Sequence, residues 1–318
     1  MKIHSSIAAL TMICAVMTCR SMSAQDASSS PAKPPAPDAP AAEQPADATA
    51  ALQKATQNPV ASLISVPVQN NTNFGVGNYD RTQDVLNIQP VIPMRISKNW
   101  NLITRIIQPI VWQPYPNETT GGEYGLGDMN PTFFLSPFKP GKIIWGAGPA
   151  FVIPTATNSI LGQGKFDIGP SVVALTQPGH WTLGILTNNV WSVAGSGGRP
   201  AVNQFLLQYF INYNLKKGYY ITWQPTLTAN WRAPSGSVWT VPYGGGIGRI
   251  MKLGFQPISL TAQFYGNAVR PSGTPSWTMR LQIAFLFPKL TKEQEKMMME
   301  MKLKQMQGQE NQATEPKK

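Results

Sequence analysis

Along residues 221–232 the side chains alternate in kind: Thr222, Gln224, Thr226, Thr228, Asn230 and Arg232 fall on one side, Ile221, Trp223, Leu227 and Trp231 on the other. Successive side chains of a strand point to opposite faces, so this spacing builds a wall that hydrogen-bonds on one face and is apolar on the other. The first set is expected to face water, and in a weakly selective channel luminal arginines and carboxylates would form a transverse field. The same counting puts Arg95, Arg105, Asp128, Asn130, Asp167, Gln204, Gln208, Thr226, Arg232, Gln263 and Arg280 on polar strand faces, where they are expected to line a lumen. An arginine turned toward lipid near the midplane costs roughly 2–4 kcal/mol, which favours the inward choice for Arg105 and Arg280. The alternative role for these residues is an ion-pair and hydrogen-bond network that fills a narrow barrel.

Bond-making chemistry finds little support. Beyond the first 24 residues there is one histidine, His180, inside the tight turn Q-P-G-H-W at 177–181. A Ser/His/Asn triad like that of the outer-membrane phospholipase needs its histidine beside a serine at the lipid-facing outer half, and His180 is expected at the opposite, periplasmic side. The sequence has no G-x-S-x-G, no H-E-x-x-H and no glycine-rich phosphate loop, and G-G-G-I-G at 244–248 reads better as small residues where a strand bends or side chains crowd inside. Neither a catalytic site, a cofactor nor a metal is expected.

The elements that must carry the polar faces are strands. In W-T-M-R-L-Q-I-A-F-L-F, residues 277–287, Trp277, Met279, Leu281, Ile283, Phe285 and Phe287 share one face and Thr278, Arg280 and Gln282 the other. Twelve such segments are expected at 60–70, 84–96, 100–112, 124–136, 143–154, 166–177, 181–193, 202–214, 219–232, 238–251, 257–270 and 276–287. Short turns such as S-K-N and L-K-K-G alternate with longer connections at 113–123 and 155–165, the pattern of periplasmic turns against outer loops. Trp100, Trp145, Trp181 and Trp223 fall near one set of strand ends, and Trp112, Trp191, Trp231, Trp239 and Trp277 near the other, the placement of two aromatic girdles. Core packing in a soluble sandwich would instead put tryptophan in mid-strand. Prolines at 90, 93, 109, 131, 149, 170, 225 and 242 run against this reading, because each lacks a ladder donor and a closed barrel has no edge to hold it. The expected class is all-β: a 12-stranded antiparallel transmembrane barrel at 58–288 with a disordered N-terminal linker and a helical C-terminal tail.

Composition sets the surroundings. Of 318 residues 42% are hydrophobic and only 13% charged, yet after residue 24 no apolar run reaches the roughly 20 residues a membrane helix needs. Residues 1–24 have the layout of a signal peptide: Lys2 and His4, then an apolar run from Ile7 to Met17, then small residues before a cut near Ala24. Cys19 follows Val16-Met17-Thr18, a poor lipobox; Cys14 and Cys19 both leave with this segment, so neither a disulfide nor a cysteine metal site is expected afterwards. Export to the Gram-negative outer membrane is the expectation. Residues 25–57 are rich in Pro and Ala and read as a periplasmic linker, with a short helix at Ala50 to Gln57 against or inside the barrel mouth as the alternative. The tail at 289–318 is charged and helix-prone; its methionines at 297, 298, 299, 301 and 306 suit a partner or Cu(I), although a solvated periplasmic helix fits its mixed charge better. Removing Lys2 and Arg20 leaves 24 basic and 15 acidic residues, a net +9, without a basic run interleaved with aromatics, so lipopolysaccharide outside or anions inside are expected rather than nucleic acid.

Several stretches carry a resemblance: N-P-V-A-S-L-I-S-V-P-V-Q-N-N-T-N-F-G, L-N-I-Q-P-V-I-P, G-L-G-D-M-N-P-T-F-F-L-S-P, G-P-S-V-V-A-L-T, N-N-V-W-S-V-A-G and L-Q-I-A-F-L-F-P. Across about 58–288 the chain resembles a family of bacterial outer-membrane barrels grouped with MetA-pathway-of-phenol-degradation proteins, whose members are often called transporters or neuromedin U. The resemblance implies a barrel and passage of small organic compounds. It departs in the 30 residues that follow Pro288, since a strand recognised by the barrel-assembly machinery usually ends the protein. The function expected from residues and resemblance together is a passive outer-membrane channel for small solutes. A non-conducting structural or interaction barrel is the rival, and a lipid-modifying enzyme ranks third.

Overall fold

The computed structural model describes residues 46–288; the expected signal peptide, most of the expected linker and the expected C-terminal tail lie outside the described residues. One sheet of fifteen strand segments closes on itself, and three staves are interrupted, so the wall has twelve antiparallel strands. In chain order these are β1 (Ile64–Val76), β2 (Arg81–Ile88 and Val91–Arg95), β3 (Trp100–Pro114), β4 (Gly122–Leu126 and Asn130–Pro137), β5 (Ile144–Val152) and β6 (Lys165–Thr176). They continue as β7 (Trp181–Gly195), β8 (Asn203–Asn214), β9 (Tyr219–Trp223 and Thr226–Asn230), β10 (Trp239–Leu253), β11 (Gln256–Val269) and β12 (Trp277–Phe287). Each strand pairs with its sequence neighbours, and β1 pairs with β12 from Ile64 opposite Phe287 to Phe74 opposite Trp277, which closes the ring.

The first strand starts at Ile64 and runs to Val76, later than the 60–70 expected. The polar run Asn70-Asn71-Thr72-Asn73, at and beyond the end of the expected strand, pairs with both β2 and β12. Val60 and Leu63, which alternation assigned to the wall, are buried inside the barrel instead.

The prolines are accommodated where the ladder is broken. β2 is interrupted at Gln89-Pro90 and β9 at Gln224-Pro225, and a register shift sits at Val241/Pro242. Proline carbonyls keep accepting across these breaks: Gln89 N–H donates to Pro67 O at 2.8 Å, Ile106 N–H to Pro90 O at 3.1 Å and Gly127 N–H to Pro109 O at 3.0 Å. Pro149 and Pro170 stand opposite each other in β5 and β6, so their missing donors coincide at one rung. A residue without an N–H is costly only where an acceptor waits for it.

Helix α1 (Ala46–Thr56) precedes the wall, where a disordered linker was the first expectation and a short helix at 50–57 the alternative. An isolated helix of 11 residues is marginal in water, so tertiary contacts must hold it. Leu52 packs with Leu63, Tyr220, Ile250, Ala284 and Leu286, while Val60 packs with Ile103, Phe134, Val173, Leu175, Leu186 and Phe210. All these wall residues face inward, so the half of the barrel next to α1 is filled with an apolar core.

Two glycines make room for that core. Gly248 lies opposite Tyr220, and a Cβ there would meet the Tyr220 ring at 2.2 Å; Gly184 lies opposite Phe210, and a Cβ there would meet its ring at 2.4 Å. The Tyr220 hydroxyl is satisfied by Ser259 Oγ at 2.8 Å and Thr261 Oγ1 at 2.7 Å. Gly248→Val drives the Tyr220 ring off this seat and should lower stability to urea by about 1–3 kcal/mol, read from the unfolding midpoint of the folded barrel. A midpoint unchanged from wild type would show that the ring does not need the space.

Candidate functional site in the barrel lumen

Above the apolar core the inward face turns polar. On β12 the inward residues run Thr278, Arg280, Gln282 and then Ala284, Leu286, the last two buried against the core. The polar half encloses a cavity of about 720 Å³. It reaches the outer loops at Ala233, Ser237, Pro271 and Thr274, and Leu186 and Leu206 at its other end also belong to the packing around Val60.

Six residues expected in the lumen line this cavity: Arg105, Asn130, Gln204, Gln208, Thr226 and Arg280. Arg105 Nη2 donates to Gln89 Oε1 at 3.0 Å. Arg280 Nε donates to Asn71 Oδ1 at 2.9 Å and its Nη1 to Gln224 O at 3.4 Å, and the guanidinium lies 4.9 Å from the centre of the Tyr265 ring. Every one of these partners is neutral. Among the described residues no Asp or Glu lines the cavity.

The other five lie elsewhere. Arg95 is exposed at the rim, stacked 3.8 Å over the Phe138 ring and bonded to the carbonyls of Ser97 and Lys98. Arg232 follows the end of β9 and is exposed. Gln263 is buried beside Thr222, whose Oγ1 it reaches at 3.4 Å, and Asp167 is fully buried with neither carboxylate oxygen hydrogen-bonded among the described residues.

Asp128 anchors a loop. Its Oδ1 accepts from Ala156 N–H at 3.2 Å and its Oδ2 from Gln163 N–H at 2.6 Å. Thr155 Oγ1 adds a bond to Gly127 O at 3.0 Å, and Leu161 is buried. The connection between β5 and β6, expected as a long outer loop, is thus folded inward, and it narrows the bore beside a second cavity of about 260 Å³ lined by Asp128, Asn130, Gly162 and Gln163. Period-two counting had no means of finding this, because the loop is held by side-chain and backbone bonds from Asp128, Thr155 and Thr157 rather than by strand alternation.

Toward α1 the lumen is shut by amides as well as by apolar packing. Gln57 Nε2 donates to Asn214 Oδ1 at 2.7 Å, and Asn214 Nδ2 returns a bond to Gln57 Oε1 at 3.2 Å. Gln53 Nε2 donates to Tyr219 O at 2.9 Å, and Lys54 and Gln177 exchange bonds through each other's backbone carbonyl. His180 is exposed in this same set of turns, its ring 6.0 Å from that of Tyr213.

The outward face carries the tryptophans at the two strand ends expected for them. Trp100 and Trp145 meet edge-on at 6.0 Å, Trp231 and Trp239 at 5.4 Å, and Trp277 stacks on Phe74 at 3.8 Å. One polar group on this face escaped the sequence reading: Asp84, paired with Trp112 and Thr72, accepts from Thr72 Oγ1 at 2.8 Å. Its neighbour Trp112 places it toward the headgroup zone, where a charge costs far less than at midplane.

No protein-family model matches this sequence, and no curated protein does. Among solved structures, an outer membrane channel from Pseudomonas putida F1 superposes with a TM-score of 0.55 at 14% identity, over 71% of this chain and 94% of that one. The NanC porin covers 71% of this chain and 100% of its own at 10% identity and a TM-score of 0.45. Outer membrane phospholipase A from Escherichia coli covers 72% and 97% at 12% identity and a TM-score of 0.37. The first of these shows a shared fold, the closed antiparallel outer-membrane barrel.

Replacing Asp128 by Ala removes two charge-assisted bonds to the inward loop, each worth about 1.5–3 kcal/mol. Amide exchange at Ala156 and Gln163 should accelerate at least tenfold, measured by mass spectrometry on the folded barrel. Unchanged protection would mean that the loop is held by its apolar side chains alone.

Proposed function

We propose that this chain is an outer-membrane channel through which small solutes pass passively, entering from the outer mouth and stopped by the N-terminal segment in the closed state. The observation that carries the reading is the polar cavity of about 720 Å³, continuous with the outer loops and ending on residues that α1 and its following segment cover. A barrel meant only as a wall or a scaffold has no need of a chamber lined by Arg105, Arg280 and a set of uncharged amides. The shut end is built from contacts that can be broken without unfolding the wall: one buried amide pair, a few backbone bonds and two modest apolar clusters.

Export by residues 1–24, lipid contact through the Trp-bearing ends, lipopolysaccharide at the outer rim and engagement of β12 by the barrel-assembly machinery belong to the same proposal. So does kinship with the MetA-pathway group and its small organic solutes. The position of His180, exposed at the end nearest α1, weighs against a lipid-modifying enzyme.

In planar bilayers the folded protein should give discrete current steps. Gln57→Leu leaves the Asn214 amide buried without its partner at a cost of about 1–3 kcal/mol, so openings should become about tenfold more frequent. Silence from both the full chain and a chain lacking residues 25–57, each shown to be folded by heat-modifiable mobility, would overturn the channel reading.

A further inference from the structure

The lining of the cavity mixes two chemistries, with amides such as Asn130, Asn188 and Gln204 standing among its aliphatic side chains. Ile107 on β3, Val152 on β5, Leu186 and Val190 on β7 and Leu206 on β8 give it an aliphatic wall. Arg280 stands on β12, five strands from β7 around a ring of twelve, with Gln69 and Asn87 beside it on β1 and β2 and Arg105 on β3. Arg105 and Arg280 are three strand spacings apart, about 14 Å across the strands, and the pairing that runs from Arg280 through Asn71 and Val85 meets β3 at Val111, so they are also staggered along the strands by about 20 Å.

Neither guanidinium is neutralised by its contacts. Arg105 spends one donor on Gln89, and Arg280 two on Asn71 and Gln224, so most of the five N–H groups on each are left for a ligand. In a chamber without carboxylates, that is a standing demand for negative charge. The aliphatic wall makes a second demand, since an anion with nothing apolar to offer leaves it in contact with water. A volume of about 720 Å³ is of the size that holds a small organic molecule with accompanying water.

We infer that the lumen selects small amphipathic organic anions, a carboxylate on an apolar body, with the carboxylate on Arg105 or Arg280 and the body against Ile107, Val152 and Val190. This rests on the channel reading and names its solute class. Two separated arginines, each free to make a planar two-point contact, fit single carboxylates better than one clustered polyanion. The aliphatic wall discriminates between carboxylates of equal charge by the size of the apolar part.

The test is equilibrium binding of benzoate, acetate and benzamide to the full-length folded protein in detergent, followed by current block in planar bilayers. Benzoate should bind at least tenfold more tightly than either benzamide, which lacks the charge, or acetate, which lacks the body. Arg105→Gln and Arg280→Gln should each weaken benzoate severalfold and leave benzamide unchanged, whereas Val190→Asn should weaken benzoate and spare acetate. Arg105→Lys and Arg280→Lys, which keep the charge, should recover part of the affinity. Benzamide equal to benzoate on the wild-type protein, or undiminished benzoate binding in the folded Arg105→Gln/Arg280→Gln double variant, would overturn the inference. A barrel that conducts but shows no such preference loses only the solute class, while one that binds benzoate and never conducts loses the channel.

Discussion

Everything inside this barrel follows from the bore that twelve strands enclose. Eight strands make an interior that wall side chains can fill, and sixteen leave an open aqueous channel. Twelve leave a space too wide for the wall's own side chains and too narrow to be indifferent to what is placed in it. The structure divides that space along its length. One half is filled by a segment brought in from the N-terminus, and the other is kept as a chamber lined by amides, arginines and aliphatic side chains. The outward face meets hydrocarbon along its middle and headgroups only at its ends; the inward face changes surroundings halfway along, and its residues change character accordingly.

The polar half has its own condition. A guanidinium withdrawn from bulk water must find hydrogen bonds, and a carboxylate partner would satisfy it while removing its attraction for a solute. Arg105 and Arg280 are instead held by Gln89, Asn71 and a backbone carbonyl, which orient the groups without neutralising them. The acids expected alongside them lie outside the cavity lining: Asp128 holds the inward loop, and Asp167 is buried opposite Val152. Separation of the cations from the acids gives the chamber a sign, where a mixed lining would have given a transverse field.

The twelve strands were legible because period-two alternation is imposed by the wall itself, and any segment with lipid on one side must display it. Legibility failed where that condition lapses. Asn70 to Asn73 carry almost no apolar signal, and the expected first strand stops at residue 70, although β1 passes through them. Val60 and Leu63 are apolar for the sake of the filled bore, and two residues are too few to distinguish that purpose from a strand's. Arg95 and Arg232 sit at or beyond strand ends, where alternation no longer corresponds to inside and outside a membrane. The filled half did leave a trace: on β12 the inward face passes from Thr278, Arg280 and Gln282 to Ala284 and Leu286. Successive apolar residues on the inward side of a barrel strand suit a filled lumen better than a wet one, and Ala284 and Leu286 are buried against the cluster that contains Leu52.

The shared residues join the two halves energetically. Leu186 packs in the apolar cluster around Val60 and also lines the chamber, and Leu206 lies against both. A solute that fills the chamber therefore touches side chains whose positions are set by the N-terminal segment. It can favour an open lumen only by binding that arrangement more tightly than the closed one. On the proposed channel reading such coupling is reciprocal, so contacts far below the chamber, such as the Gln57–Asn214 amide pair, would bear on solute affinity as well as on closure. On that reading one set of inward side chains would govern both selectivity and closure, and a substitution at Leu186 or Leu206 would act on both at once.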